Sequence, residues 1–368
     1  MLEISNFKEI EKFLLDSKFR SIFVIGGNNS FSKCGFNSVL KNKNYKFKIS
    51  YFFKKKSLPE YEELIKIIDL INSVSPDLIL AVGGGSVLDY SKIANSIIKS
   101  ENLKSEIKNG TYKLKKKNRK IVNIPTTAGS GAEVTSTAVI YVDNKKYSIE
   151  GLEIRPDYFF LIPELIKSNN FTTTSSSALD CIAQALESLF AMKSTDESAK
   201  FALKSLELSL PNFKNFLEKP NVENSTKMLI ASNLSGEAIN ISRTTAPHAL
   251  SYPFTSLYGI PHGHAVFITL KEFMRFNLEN KEISKARFNF NDRTARLISL
   301  INCKNEKNFL DFLDELKKNS KLNFDLQSYG IKIEEDYKKI LDGVNIKRLN
   351  NNPVEVNESV IKKILFNI

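Results

Sequence analysis

Along the first 163 residues, short apolar runs alternate with segments of helical spacing. RSIFVIGG (20–27) and YKFKISYFF (45–53) read as strands, LPEYEELIKIIDLINSV repeats its apolar positions at helical intervals, and DLILAVGGG (77–85) is an unbroken apolar run ending in glycines. Further strands are predicted in RKIVNIPTT, STAVIYVD and RPDYFFLIP (155–163). Runs apolar on both faces and separated by helices indicate a parallel sheet built from strand–helix–strand units. After Pro163 the pattern changes. ESAKFALKSLELSLPNFKNFLEK, NSTKMLIASNLSGEAINIS and ARLISLINCKNEKNFLDFLDELKK place apolar residues at i, i+3, i+4 and i+7, and no convincing strand follows. The expectation is an α/β chain: a Rossmann-like parallel-sheet domain over 1–163, then an all-helical domain over 164–368. No repeat or low-complexity linker separates them, so direct packing with a cleft between them is expected.

Composition adds context. With 368 residues, 42% hydrophobic and 26% charged, the chain can bury a large core. MLEISNFKEIEKFLLDSK mixes charges into its apolar positions, unlike a secretory signal, and no apolar run approaches the roughly 18 residues of a membrane span. Cys34, Cys181 and Cys303 are odd in number and far apart, which argues against a disulfide framework and, with the rest, for a cytoplasmic location. The net charge of +12 comes from lysine spread along the whole chain. It suits anionic small molecules better than nucleic acid. The runs KFKISYFFKKK (46–56) and YKLKKKNRK (112–120) read as solvated surface, and neither nucleic acid nor a membrane is expected as partner.

Two loops carry candidate ligand chemistry. In AVGGGSVLDYSKIAN (81–95), Gly83, Gly84 and Gly85 permit a tight turn and close approach of a ligand, and Ser86 with Asp89 fits the S-x-x-D pattern that caps a helix. A helix beginning there presents free N–H groups to a pyrophosphate; the plainer alternative is a glycine turn with an ordinary cap. IPTTAGSGAEVTSTAV (124–139) follows another strand and supplies the hydroxyls of Thr126, Thr127 and Ser130. Two such loops at the carboxyl ends of parallel strands mark where a nucleotide lies.

A third group lies further on. Asp180 and Gln184 stand four apart in SSSALDCIAQALES, on one face of a predicted helix, as two ligands to one ion or as a capping or surface carboxylate with its neighbour. Every histidine of the chain, His248, His262 and His264, falls within TTAPHALSYPFTSLYGIPHGHA (244–265). Pro253, Gly259 and Pro261 intervene, so one straight helix cannot carry His248 and His262; a helix and the start of the next one can. Imidazole with carboxylate suits Fe(II), Zn(II) or Mn(II), the alternative being scattered structural histidines.

These motifs, in this order, resemble the iron-containing (group III) alcohol dehydrogenase family over nearly the whole chain. GGGSVLDYSK is similar to its GGGSxxDxAK, PTTAGSGAEVT to its PTTAGTGSE loop, SSSALDCIAQALES to its DALxHAxE helix, and HALSYPFTSLYGIPHGHA to its second metal segment. The resemblance implies a dinucleotide-binding domain followed by a metal- and substrate-binding domain, in the plan shared with dehydroquinate synthase. It makes Asp180, His248 and His262 metal ligands, with Gln184 where the family usually has a third histidine. A divalent ion, Fe(II) first and Zn(II) second, is implied. It also assigns Gly83, Gly84, Gly85, Ser86, Asp89, Thr126, Thr127 and Ser130 to the cofactor, with Asp89 near the nicotinamide side. At the end of the first strand Gly26, Gly27 and Asn28 offer no carboxylate, which points to NADPH over NADH. Tyr252 and His264 are candidates for proton delivery, His264 equally for orienting His262. Details of the chain look closest to the phosphonoacetaldehyde reductase branch. Arg243, Thr244 and Thr245 are the candidate readers of an anionic substrate end, Arg243 alternatively forming a structural ion pair. The expected activity is metal-dependent, NAD(P)H-linked reduction of a small aldehyde by a homo-oligomer, a dimer in the simplest case. A lyase resembling dehydroquinate synthase is the alternative.

Overall fold

The computed structural model describes residues 4–117, 119–344 and 346–368, apart from the side chains of residues 29 and 347. It divides the chain into two compact units: Met1–Asn169 with Pro220–Asn233, and Asn170–Lys219 with Leu234–Ile368. Pro220–Asn233, which includes the start of a later helix, thus belongs with the sheet-containing unit.

The first unit is built on strands β1 (Ser21–Gly27), β2 (Lys48–Lys54), β3 (Leu78–Gly83), β4 (Lys120–Pro125) and β7 (Tyr158–Phe159), all parallel, in the order β2-β1-β3-β4-β7. Alternate side chains go to opposite faces. Phe23, Ile25, Ile79 and Ala81 pack under helices α4 (Tyr61–Val74) and α5 (Gly85–Ser96), while Ile22, Val24, Leu78, Leu80 and Val82 pack under α1 (Phe7–Asp16), α2 (Asn28–Lys33), α3 (Asn37–Leu40) and α7 (Pro163–Ile166). Two buried faces explain the continuous apolar runs. The chain leaves β1 toward β2 and returns to β3 on the other side of β1, which makes the carboxyl ends of β1 and β3 the topological switch point.

STAVIYVD does not join this sheet. It forms β5 (Thr137–Val142), antiparallel to β6 (Lys145–Glu150), a strand the apolar pattern did not announce. Asp143 (φ 50°) and Asn144 (φ 60°) form the two-residue turn, the positive-φ pair that a tight hairpin needs. A short helix α6 (Leu103–Asn109) completes the unit.

The second unit is helical: α8 (Phe171–Phe190), α9 (Asp196–Glu218), the later part of α10 (Val222–Ser242), α11 (Ala246–Tyr258), α12 (His262–Glu279), α13 (Phe290–Leu300), α14 (Glu306–Ser320), α15 (Ile333–Asp342), α16 (Ile346–Leu349) and α17 (Glu358–Leu365). No helix among the described residues is long and apolar enough to cross a membrane.

Candidate functional site

In the first unit the two loops meet at the switch point. A Cβ on Gly84 would stand 3.5 Å from the Thr127 side chain, and one on Gly85 would collide with Ser130 Oγ at 2.7 Å, so the glycines let the second loop lie directly against the first. Gly84, and not Ser86, is the cap of α5, and it makes no side-chain capping bond. The S-x-x-D capping expectation fails because Asp89 is engaged elsewhere. Its carboxylate accepts from Val139 N–H (2.9 Å) and pairs with Lys92 (3.3 Å), whose ammonium, 0% exposed, also donates to Ala132 O, Thr135 Oγ1 and Thr137 O. Asp89 therefore ties the hairpin to α5. Gly84, Gly85, Ser86, Thr127 and Ser130 are half-buried and Asn28 is exposed, whereas Gly26, Gly27, Gly83 and Thr126 are buried.

In the second unit, α8, α11 and α12 converge. Asp180 lies in the middle of α8, His248 in the first turn of α11, and His262 opens α12. Gly259, in a left-handed conformation (φ 70°), ends α11 and makes the break between the histidines; Pro253 is accommodated inside α11. Gly263 decides how closely α12 approaches α8. A Cβ there would lie 2.0 Å from Ser176 O and 2.7 Å from Asp180 Cβ, so only glycine lets His262 come beside Asp180.

Asp180 Oδ1 stands 3.4 Å from His248 Nε2 and 4.0 Å from His262 Nε2, and one donor atom from each of the three residues falls within 4.8 Å of the other two. Two ligands about 2.1 Å from a shared tetrahedral ion stand about 3.4 Å apart, a spacing that the Asp180–His248 pair matches and the Asp180–His262 pair exceeds. The chemistry fits a divalent ion. His248 Nε2 is buried without a hydrogen-bond partner, while Nδ1 is held by Glu187, which leaves the Nε2 lone pair free to bind.

Glu187 was not anticipated. It is 0% exposed, lies on α8 seven residues after Asp180 and hence on the same face, and accepts from Thr245 N–H (2.9 Å), Thr245 Oγ1 (3.0 Å) and His248 N–H (3.3 Å) besides the ring. Burial acts to lower the pKa of His248, but the carboxylates of Glu187 and Asp180 outweigh it and hold it up at about 9. His262 is the accessible member, its side chain 32% exposed, with Ser251 Oγ 3.4 Å from Nδ1.

Gln184 is buried beside the cluster. Its amide nitrogen donates to Asp180 Oδ2 (3.3 Å) and its carbonyl oxygen accepts from Ser235 (3.2 Å), so it is arranged to hold Asp180. Tyr252, 6% exposed and one turn beyond His248, lies with its ring 6.2 Å from that of His262. His264 does not join them. Two residues along a helix is a rotation of about 200°, and the ring packs edge-on against Phe324 (4.5 Å) and Tyr329 (6.0 Å), 1% exposed. Desolvation lowers its pKa to about 4, which keeps the ring neutral among its aromatic neighbours. Thr245 is committed to Glu187, which removes it from the substrate candidates. Thr244 is buried, with its carbonyl bonded by Asn351, and partly buried Arg243 adopts φ 64° at the end of α10.

The sequence model described as iron-containing alcohol dehydrogenase matches residues 2–163, and that of the Fe-containing alcohol dehydrogenase family, C-terminal, matches 174–368. The chain belongs to the iron-containing alcohol dehydrogenase family, and it is an enzyme of the metal-dependent, NAD(P)-linked alcohol dehydrogenase and aldehyde reductase kind that this family comprises. It is 30% identical to a 4-hydroxybutyrate dehydrogenase of Clostridium kluyveri over 282 residues, 75% of this chain and 74% of that one. With a phosphonoacetaldehyde reductase of Streptomyces viridochromogenes it shares 28% identity over 216 residues, 56% of this chain and 55% of the other. A sulfoacetaldehyde reductase from Bifidobacterium kashiwanohense, solved in complex with NAD+, has the same fold, with a TM-score of 0.87 at 24% identity covering 99% of this chain and 95% of that one.

Proposed function

We propose that this enzyme reduces a small aldehyde bearing an anionic group to the primary alcohol, with phosphonoacetaldehyde to 2-hydroxyethylphosphonate the leading candidate and NADPH the reductant. The observation that carries the reading is the donor cluster of buried Asp180 and His248 with the more accessible His262, Glu187 fixing the tautomer of His248. An anionic substrate is supported by Arg243, five residues before His248, and by the surplus of positive charge. Three relatives are named for compounds that carry a carboxylate, a phosphonate or a sulfonate.

Asp180, His248 and His262 would hold a divalent ion, which would supply Lewis acidity, and a bound nicotinamide would supply the hydride. The chain does the rest. Gln184 steadies Asp180, Glu187 steadies His248, and Tyr252, whose ring lies 6.2 Å from that of His262, delivers the proton that completes the alcohol. The backbone of Gly84 and Gly85, Ser86, Thr127 and Ser130 cradle the dinucleotide. Arg243 grips the anionic end of the substrate.

Oxidation of NADPH, followed at 340 nm with phosphonoacetaldehyde, succinic semialdehyde and butyraldehyde, tests this. Chelator-sensitive turnover that favours the anionic aldehydes is expected. Arg243→Ala should raise KM about tenfold or more for the phosphonate aldehyde, the worth of a charge-assisted contact, and little for butyraldehyde. Equal effects on both would sink the substrate reading.

A further inference from the structure

The run KFKISYFFKKK contains one lysine that is not solvated surface. Lys54, the last residue of β2, is only 9% exposed, although Lys56 two residues on has 62% of its side chain in solvent. Its ammonium donates to Ser57 O (2.8 Å) and Ser86 Oγ (2.5 Å), and among the described residues no carboxylate pairs with it. Burial lowers its pKa to about 8, while Glu63, Asp89 and Glu60, acting from beyond pairing distance, raise it in part. Lys92 shows the contrast within the same unit: it is 0% exposed but neutralised by Asp89. A buried cation left with neutral acceptors alone is costly unless an anion joins it.

Its position says which anion. Lys54 is register-paired with Gly27 at the carboxyl end of β1, on the side of β1 away from β3. The backbone N–H groups that open α5 follow β3, and a helix N-terminus of that kind suits a pyrophosphate. Around Gly27 the chain offers Lys54 and the hydroxyls of Ser86 and Ser30, the latter so close that a Cβ on Gly27 would meet Ser30 Oγ at 2.4 Å. Ser86 accepts from Lys54, which leaves its own O–H to donate to a ligand oxygen. Resting on the dehydrogenase reading above, we infer that Lys54, with Ser86, binds the 2′-phosphate of NADPH and is the residue that selects NADPH over NADH.

Equilibrium titration of the purified enzyme with NADPH and with NADH, read by nucleotide fluorescence, decides the matter. Lys54→Met should weaken NADPH by about tenfold to a hundredfold, the range of a charge-assisted contact, and leave NADH within about twofold. Lys54→Arg, which keeps the charge, should retain the preference. Equal weakening of both nucleotides would assign the cation to the pyrophosphate and overturn the inference, as would unchanged NADPH binding in a folded Lys54→Met protein. Wild-type enzyme that binds neither nucleotide would instead overturn the dehydrogenase reading itself, and this inference with it.

Discussion

His248 and His264 are both nearly inaccessible and lie sixteen residues apart, yet their surroundings give them opposite chemistry. His248 is enclosed by the carboxylates of Glu187 and Asp180, and its pKa is held up at about 9. His264 is enclosed by Phe324 and Tyr329, with Lys317 adding positive charge nearby, and its pKa falls to about 4. Burial disfavours the charged ring in both cases, and the neighbours decide the outcome. A histidine among carboxylates can release its proton to solvent where a metal ion would take its place; one among aromatic rings fills space.

The sharpest way to break the comparison is to remove one ring at a time. His248→Ala should abolish metal retention on gel filtration and lower kcat/KM by more than about 100-fold, beyond what an outer carboxylate contributes. Activity and metal content near wild type would mean that the cluster is no metal site. Glu187→Gln keeps the shape but removes the charge behind His248, and metal affinity measured by chelator competition should fall about 10- to 100-fold with the circular dichroism unchanged. An unaltered affinity would reduce Glu187 to a packing residue.

His264→Phe should leave kcat within about twofold and change the acid stability. The unfolded chain takes up a proton near pH 6.5 and the folded ring only near pH 4. This ring's share of stability is therefore present above pH 6.5 and lost as the pH falls toward 4, by up to about 3 kcal/mol at 1.36 kcal/mol per unit. Urea unfolding at pH 7 and pH 4.5 should show a smaller acid loss in His264→Phe than in wild type. A collapse of kcat in this variant would restore His264 to the catalytic candidates.

Much of the fold is visible in residue patterns because periodicity is local. β1, β3 and β4 are legible as apolar runs since both sheet faces are covered, and α4 and α14 as amphipathic spacing. β6 was not, because KKYSIE is polar and only partly buried, and its partner is fixed by a turn. The metal cluster was legible through the resemblance of its two segments to the family's motifs, and Glu187 could have been found as the seventh residue after Asp180 on the same helix face. Gly263 stood in plain view between two histidines, but its need is steric and arises only when α12 meets α8.

The sequence by itself determined the alternation of strands and helices in the first part, the helical character of the second, the glycine loop, and, through the family resemblance, the carboxylate and two histidines. Only the tertiary structure decided which of the polar residues are engaged by the scaffold. Asp89 and Thr245 carry ligand-like side chains but are taken by Val139 and Lys92 and by Glu187, while Lys54, one of a run of three lysines, is the one turned inward. The physical reason is range. Glu187 meets a ring 61 positions away and Lys54 a hydroxyl 32 positions away, and such pairings, with the burial that gives them weight, exist only after the chain has folded.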